Sequence, residues 1–246
     1  MSRSCASSAD CGERQECVAA ACRYSHRLYV QPDIAAAAAR RYKYIVVGGG
    51  SAGCAAAATL AERHETLLVE RGPRREVVPT TGSFDAFHAR FGLGSWAAIM
   101  DMLTTTEHTR HIFPRVLGGA TAFNAGIYNR DAAAPAGVFA RAGWHAASVA
   151  AAYQWVESLL QPQVAEHERE DSLLAAIRME MVPRLGLKLD GNASIGLQPP
   201  QSLFRTYTTL PQGGRNRTAA DEFLKQPGLQ LTVVLEVTAF LLLIDD

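Results

Sequence analysis

Three glycines with the spacing of a phosphate-binding turn are the first residues of this chain that indicate chemistry. Gly48, Gly50 and Gly53 fill the glycine positions of the pattern G-x-G-x-x-G, and the acidic Glu70 follows at the distance typical of this pattern. The first glycine permits a tight turn, the second lets backbone approach a pyrophosphate, and the third lets a helix pack closely on a strand. The acidic side chain can accept hydrogen bonds from a ribose hydroxyl. This set predicts dinucleotide binding, with a glycine turn that binds no ligand as the alternative.

The residues after the second glycine are predicted to open a helix directed at the bound phosphates. Ser51, Ala52 and Gly53 would form its first turn, where backbone N–H groups have no partner within the helix. These groups, with the partial positive charge of a helix N-terminus, favour an anion. Cys54 comes next and is interpreted as a small packing residue, with a reactive thiol as the alternative.

A second glycine-rich loop offers another set of backbone amides. Gly118 and Gly119 would expose successive amides, and the small Ala120 and Thr121 are predicted to open the next helix. Such a turn can hold an anion close to the first glycine turn. A purely structural glycine loop is the alternative.

Local patterns predict the elements that must position these two loops. Tyr44–Val47 is a short apolar run with β-branched residues, as expected of a parallel strand buried on both faces. An alanine-rich helix is predicted from Ser51 to about Arg63, with Ala56 and Ala57 packed behind Gly53. A second strand covers Thr66–Val69. Strand, glycine turn, helix and strand in this order form a βαβ unit.

Longer stretches around both loops resemble the glucose–methanol–choline oxidoreductases, a family of FAD enzymes. The resemblance covers about Tyr42 to Asp246, and it is most specific in Tyr42–Cys54 and Arg115–Tyr128. Further matches are Leu67–Gly72, Gly143–Trp144, Thr218–Ala220 and the strand Leu231–Val234. The sequences of Asn124–Arg130 and Tyr153–Glu157 are most similar to the plant-type branch of the family. This branch includes mandelonitrile lyases and hydroxy-fatty-acid dehydrogenase-like proteins.

The resemblance implies FAD as the cofactor, since a nicotinamide enzyme has no need of the second backbone cradle. In the family that loop runs beside the flavin and the pyrophosphate. Three residues depart from the family pattern: Pro114, Ala120, whose lost hydroxyl would weaken one contact, and Phe123. The implied cofactor-binding residues are Gly48, Gly50, Ser51, Ala52, Gly53, Glu70, Arg71, Arg115, Gly118, Gly119, Thr121, Asn124, Ala125, Gly126 and Val237.

The resemblance further implies oxidation of an alcohol, in which a histidine base takes the hydroxyl proton while hydride passes to the flavin. None of the seven histidines matches the catalytic position, so we assign no catalytic residue and expect a chain truncated before that histidine. An FAD-containing hydroxynitrile lyase is one alternative, and a catalytically inert flavin-binding fragment is another. His108 and His111 are interpreted as solvated loop residues, because no acid or further histidine completes a metal site.

The predicted fold class is α/β, with an incomplete Rossmann-like FAD-binding domain and part of an α+β substrate domain. Residues 1–40 are interpreted as a Cys-rich leader and an Ala-rich linker. Residues 41–246 would be the N-terminal portion of the FAD-binding domain, interrupted by lid and substrate-domain segments at about 76–111 and 131–214. Strand residues such as Val233–Leu235 are expected to lack neighbours. Further helices are predicted near Asp33–Ala39, Ala147–Leu160 and Asp171–Val182.

Four of the five cysteines lie in the leader and resemble a small disulfide framework, for which three pairings are open. They are Cys5, Cys11, Cys17 and Cys22. An unstructured leader is the alternative. Disulfides and the two glycosylation-type triplets, Asn192–Ser194 and Asn216–Thr218, favour a secreted or extracellular location, although no signal peptide is visible.

Composition excludes several classes of partner. Lys plus Arg and Asp plus Glu both number 24, so the net charge is zero and no basic field exists to hold a nucleic acid. The content of 48% hydrophobic and 20% charged residues is typical of a globular protein. The longest apolar stretch, Leu229–Ile244, is interrupted by polar residues, so we predict no transmembrane helix. The expected partner is a small-molecule alcohol or cyanohydrin.

Overall fold

The computed structural model describes residues 15–18, 21–24, 33–78, 99–130, 137–164, 175–190, 202–204, 207–210 and 217–244. The chain forms two compact units. The first unit comprises Met1–Gly82, Ala86–Phe123 and Ala219–Asp246, and the second comprises Ser83–Asp85 and Asn124–Thr218.

The described strands and helices are short. The strands are β1 (Gln15–Val18), β2 (Ala21–Tyr24), β3 (Tyr44–Val47), β4 (Thr66–Val69), β5 (Met100–Thr104), β6 (Arg110–Pro114), β7 (Ile127–Tyr128), β8 (Gln163–Val164), β9 (Lys188–Asp190), β10 (Ser202–Phe204), β11 (Tyr207–Thr208) and β12 (Leu231–Val234). The helices are α1 (Ile34–Ala38), α2 (Ser51–Ala61), α3 (Val138–Arg141), α4 (Ala146–Leu160) and α5 (Val182–Arg184). Short 3₁₀ helices lie at Arg75–Val77, Gly119–Ala122 and Ala220–Lys225, and a π-helical turn lies at Ile177–Met181.

A three-stranded parallel sheet lies at the centre of the first unit. β4 is the middle strand, between β12 and β3, and Leu68 is opposite Val233 on one side and Val46 on the other. The strands predicted at Tyr44, Thr66 and Leu231 are confirmed with the bounds expected from the sequence. These β-branched and leucine-rich segments form the strands of a parallel sheet, but the expected burial of Tyr44–Val47 on both faces is wrong, because no residue of β3 is buried.

The expectation that Val233–Leu235 lack neighbours is met in part, because β12 is an edge strand of the described sheet and pairs with β4 on one side only. All four residues of β12 are buried, because β4 pairs with the strand and both α1 and α2 contact it. The exposed apolar side chains of the sheet belong to β3 instead, where Ile45 and Val47 are both more than half exposed. β3 is the edge strand on that side of the described sheet.

Helix α2 connects β3 to β4 and forms the crossover of the predicted βαβ unit. Alanine favours helix and its small side chain lets the helix lie close to the strands. Cys54, Ala57, Ala58 and Ala61 are buried, whereas Ala56, predicted to pack behind the third glycine, is exposed. The helix ends at Ala61, before the predicted Arg63, and the backbone N–H of Gln230 donates to the free Ala61 carbonyl at 2.8 Å.

Other helix predictions are met in part. Asp33 caps α1 as expected, its carboxylate accepting from the Ala35 amide at 2.8 Å. Helix α4 begins one residue before the predicted Ala147 and ends at Leu160. Of the helix predicted at 171–182, the described part is a π-helical turn that passes directly into α5. The segment after Gly118 is a single 3₁₀ turn rather than a helix, since Phe123 leaves helical geometry with φ −145°.

In the second unit, α4 is tied to the chain around β7 through charged and aromatic side chains. The Tyr128 hydroxyl donates to Glu157 at 3.2 Å, and Arg130 forms an ion pair with the same carboxylate at 3.3 Å. The Arg130 guanidinium also lies 5.6 Å from the centre of the Tyr153 ring. The two sequence runs that resemble the plant-type branch therefore contact each other.

Most of the leader lies outside the described residues, including Cys5 and Cys11. β1 and β2 form an antiparallel pair in which Cys17 is opposite Cys22 along the backbone. The triplet at Asn192 and the residue Asn216 also lie outside the described residues. In the described ranges, no helix is long and apolar enough to cross a membrane.

Leu68 allows a test of the sheet as the core of the first unit. Its side chain is fully buried in the middle strand, whereas Leu103 in β5 is more than half exposed. We expect Leu68→Ala to lower the free energy of unfolding by about 2–5 kcal/mol, because it removes buried methyl groups and leaves a cavity. Leu103→Ala, the matched control, should change it by less than about 0.5 kcal/mol. Urea denaturation followed by circular dichroism measures both, and equal losses would contradict the assignment.

Candidate functional site

The first glycine turn connects β3 to α2 as the sequence predicted. The Gly48 amide donates to the Val69 carbonyl at 2.8 Å, which continues the strand pairing into the turn. A Cβ at position 53 would lie only 1.8 Å from the Gly48 carbonyl oxygen, so no side chain fits there. Gly53 is therefore required for the close approach of α2 to the end of β3.

Glu70 lies at the carboxyl end of β4 and holds the first turn by both of its carboxylate oxygens. Oε2 accepts from the Gly49 amide at 2.6 Å, and Oε1 accepts from the Gly72 amide at 2.8 Å. The residue is almost fully buried. Hydrogen bonds from backbone amides stabilise a buried carboxylate. Glu70 thus has a structural role in addition to the ribose contact predicted from the sequence, and each oxygen keeps a lone pair for a further donor.

The second glycine turn packs directly against the first. The Gly118 amide donates to the Gly49 carbonyl at 2.7 Å. Gly119 has φ +58°, and a Cβ there would lie 2.7 Å from the Cα of Gly50. Both the left-handed conformation and the backbone contact exclude a side chain at position 119. The two glycine loops therefore form one continuous backbone surface.

Thr121 fastens the second turn to the segment that precedes β12. Its hydroxyl donates to the Gly118 carbonyl at 2.6 Å and accepts from the Ala220 amide at 2.9 Å. The predicted contact of this hydroxyl with a cofactor has to compete with these two bonds. The buried cluster of Ile99, Val116 and Ala122 supports the turn from its apolar side.

A cavity of about 290 Å³ opens where the two turns meet the carboxyl ends of the strands. In an α/β sheet this is the usual position of a ligand site. Six of the predicted residues line the cavity: Gly48, Gly50, Glu70, Arg71, Gly119 and Val237. The other lining residues are Val47, Val69, Pro114, Val116, Thr238 and Ala239.

Other predicted residues of the first unit are neighbours in sequence of the residues that line the cavity, or pair with the same side chains. Ser51 and Ala52 are exposed in the first turn of α2, next to Gly50. Arg71 forms an ion pair with Asp101 of β5, and the Nε of Arg115 lies 4.0 Å from the same carboxylate. Asp101 thus lies between two arginines of the predicted set.

Three predicted residues, Asn124, Ala125 and Gly126, belong to the second unit. The Asn124 side-chain oxygen accepts from Arg217 at 2.7 Å and from the Gly126 amide at 2.9 Å. Arg217 also donates to the Asn124 carbonyl at 2.6 Å and is nearly fully buried. The Asn124 side-chain oxygen is thus already bonded to two protein donors, and a cofactor contact at this oxygen would have to compete with them.

Apart from Val237, sequence reasoning missed the apolar lining of the cavity, and it missed the buried Arg217. Val47 and Val69 are the last residues of β3 and β4, so strand ends facing a glycine turn could have identified them. Arg217 lies next to the motif Thr218–Ala220, but in the sequence it stands out only as the middle residue of a glycosylation-type triplet. Thr218 of that triplet donates its hydroxyl to the Leu160 carbonyl at 2.7 Å.

His108 lies in the loop between β5 and β6 with φ +61°, and His111 lies in β6, so only the first is a loop residue. Both are exposed. Within the described part of the chain, no three His, Cys, Asp or Glu side chains come together as metal ligands.

Cys54 is fully buried beneath the two turns, and its Sγ donates to the Gly49 carbonyl at 3.2 Å. Burial, and then the Asp221 carboxylate, raises the pKa of this thiol from 9.0 to about 12. A protonated, inaccessible thiol is a poor nucleophile. The packing interpretation of Cys54 is therefore favoured over the reactive one.

Comparison with known proteins gives relatives for part of the chain. No sequence model of a protein family matches it. Protein HOTHEAD of Arabidopsis thaliana is 38% identical over 124 residues, which are 47% of this chain and 20% of HOTHEAD. (R)-Mandelonitrile lyase 1 of Prunus dulcis is 30% identical over 173 residues, 68% of this chain and 29% of the lyase. The chain spans less than a third of the length of these curated relatives.

Solved structures show the same fold. Pyridoxine 4-oxidase from Mesorbium loti matches with a TM-score of 0.53 and 20% identity over 80% of this chain and 42% of that chain. A formate oxidase from Aspergillus oryzae, solved to study FAD modification, matches with a TM-score of 0.50 and 16% identity over 79% and 38% of the two chains. The predicted α/β, Rossmann-like fold class is confirmed.

The βαβ unit and the paired glycine turns define a protein of the Rossmann-like class. Its sequence relatives and its structural neighbours are members of one group of oxidoreductases. The chain is similar in sequence and in fold to members of the glucose–methanol–choline oxidoreductase family, and the resemblance predicted from its sequence is confirmed.

Cys54 gives a test of the buried contact beneath the turns. Because its folded pKa is raised, the folded protein keeps a proton that the unfolded chain loses near pH 9. The resulting stabilisation is present below about pH 9 and is lost as the pH rises towards 12. We expect the free energy of unfolding of the wild type to fall more steeply above pH 9 than that of Cys54→Ala.

Thiol labelling supplies an independent check that does not depend on pH. At pH 8, the native wild type and Cys54→Ala should incorporate equal amounts of a thiol reagent, so that the four leader cysteines cancel in the comparison. In denaturant the wild type should incorporate one more equivalent. Extra labelling of the native wild type would contradict the buried, protonated thiol.

Proposed function

We propose that the cavity between the two glycine turns binds the diphosphate and adenosine portion of FAD. The observation that carries this proposal is the pair of turns itself: Gly119 packs on Gly50, and both line the cavity with Glu70. Backbone amides of glycine turns bind phosphate oxygens, and a buried carboxylate at the second strand end suits a ribose hydroxyl.

The residues present fit such a group. A Cβ placed on Gly50 would meet no atom within 4 Å, so the missing side chain leaves open space above the turn. The same Gly50 has φ −81°, which any residue adopts, and glycine is therefore not needed there for backbone conformation. The space above Gly50 is thus open, whereas the space beside Gly53 is filled by the Gly48 carbonyl. Open space above the second glycine is what the close approach of a diphosphate requires.

We further propose that the complete protein is an oxidoreductase acting on a CH–OH donor. A bound flavin would supply the acceptor of the hydride. This chain's residues would hold and orient the cofactor, and Val47, Val69 and Val116 would form an apolar part of the cavity wall. No described residue is assigned to proton transfer. The relative from Prunus dulcis, a mandelonitrile lyase that matches 68% of this chain, supports hydroxynitrile cleavage as a second candidate.

Substitutions at Gly50 and Gly53 distinguish an effect on ligand binding from an effect on folding. Gly50→Val should leave the fold unchanged but reduce FAD affinity by at least about 100-fold, because the new side chain fills the space for the diphosphate. Gly53→Ala should instead unfold the turn, since its Cβ would overlap the Gly48 carbonyl. Ala56→Val, on the exposed face of α2, is the matched control and should bind FAD normally.

Flavin fluorescence titration measures affinity in this set, and circular dichroism reports folding. FAD binding by a folded Gly50→Val protein at wild-type affinity would overturn the proposed site. A folded wild type that binds NAD tightly and takes up no flavin would overturn the choice of cofactor.

Assays on the FAD-loaded chain separate the candidate reactions. If it is an alcohol oxidoreductase, anaerobic addition of an alcohol should bleach the flavin absorbance and yield an aldehyde or ketone. If it is a lyase, mandelonitrile should give benzaldehyde and cyanide without bleaching. Bound FAD with neither result identifies this chain as a cofactor-binding portion without turnover.

A further inference from the structure

A buried cluster of charged side chains lies behind the second glycine turn. The Arg75 guanidinium holds Asp221 with two bonds, Nε to Oδ1 at 3.1 Å and Nη2 to Oδ2 at 3.3 Å. Lys225 lies 3.0 Å from the second oxygen of Asp221. Glu222 accepts from both cations, at 3.2 Å from Arg75 and 2.8 Å from Lys225. Arg75 and Asp221 are both nearly inaccessible to solvent.

This cluster lies beside the glycine turn and is joined to it through Ala220, the residue before Asp221. A Cβ on Gly118 would lie 3.5 Å from Oδ1 of Asp221, so the carboxylate faces the turn across the space of a single side-chain carbon. The residue before Asp221, Ala220, donates its amide to the hydroxyl of Thr121. Thr121 in turn donates to the Gly118 carbonyl. The position of Asp221 therefore fixes the segment that closes the turn.

The electrostatic consequence follows from the sign of the charge. A diphosphate at the turn and the Asp221 carboxylate behind it are both anions, and they repel each other across a medium of low polarity. The bidentate guanidinium of Arg75 neutralises the carboxylate at short range. Without it, a buried and incompletely paired carboxylate would face the anion site.

We propose that Arg75 and Asp221 form a positioning pair for the second glycine turn, and that Arg75 neutralises the carboxylate so that the turn accepts a diphosphate. The proposal rests on the proposed cofactor site and adds to it the support on which diphosphate affinity depends. Neither residue contacts the cavity; both act through Gly118 and Thr121. Preorganising a glycine-rich turn lowers the entropic cost of ligand binding.

The test compares ligands with and without phosphates on the full chain. FAD, ADP and adenosine are titrated by calorimetry into the wild type, Arg75→Met, Arg75→Lys and the double variant Arg75→Met/Asp221→Asn. Arg75→Met should weaken FAD and ADP about tenfold, through repulsion by the Asp221 carboxylate that Lys225 alone then pairs, and leave adenosine unchanged. The double variant should recover most of the ADP affinity, because it lacks the repelling charge. Arg75→Lys, which keeps the charge without the bidentate geometry, should lie between wild type and Arg75→Met.

Arg184→Met is the matched control, since Arg184 forms an exposed ion pair with Glu180 at 2.9 Å. It should bind all three ligands as the wild type does. If Arg75→Met fails to fold, Arg75→Lys and the double variant carry the comparison. Wild-type ADP affinity in folded Arg75→Met, equal losses for adenosine and ADP, or no recovery in the double variant would each overturn the proposal.

Failure of the proposed function gives a different result. A wild type that binds ADP but no FAD refutes the cofactor assignment, while the ADP titrations still decide the role of Arg75. A folded wild type that binds neither ligand refutes both, because the turn then has no diphosphate to accept.

Discussion

The structure of the first unit depends on the contact between two glycine backbones. Gly119 lies so close to Gly50 that a single Cβ would overlap it, and the Gly118 amide is bonded to the Gly49 carbonyl. This contact joins a turn between β3 and α2 to a turn that follows β6. Neither turn alone would enclose a ligand, since each offers only one row of amides. Their contact creates the wall of the cavity, and small residues at these positions follow from it.

The need to satisfy buried polar groups explains the residues around this contact. The Gly49 carbonyl accepts from both Gly118 and Cys54, and the Gly49 amide donates to Glu70. A buried amide or carbonyl without a partner costs free energy comparable to a lost hydrogen bond. Each polar atom of this peptide is thus paired within the protein. The amides that remain for a ligand must come from the parts of the turns that face the cavity.

Sequence alone could predict the local parts of this arrangement but not their assembly. Tyr44–Val47, Thr66–Val69 and Leu231–Val234 were predictable because strand formation follows from runs of apolar and β-branched residues, and the first turn has a glycine at each required position. Thr121 and Asn124 were predicted as cofactor contacts from resemblance alone. In the structure, their side-chain oxygens bond to partners distant in sequence, Ala220 and Arg217. Arg75 and Asp221 are 146 positions apart, and no local pattern links them.

The two buried acids nearest to the turns are both bonded to donors within the protein, which makes them compatible with the proposed anion site. Glu70 is bonded to two backbone amides, while Asp221 is bonded to a guanidinium and an ammonium group. Both carboxylates act on Cys54, whose pKa is raised first by burial, then by Asp221 and, more weakly, by Glu70. The thiol therefore stays neutral between them and adds no third negative charge. With both acids held by protein donors, the groups at the proposed site that would favour a diphosphate are the backbone dipoles of the two turns and the Arg71 guanidinium.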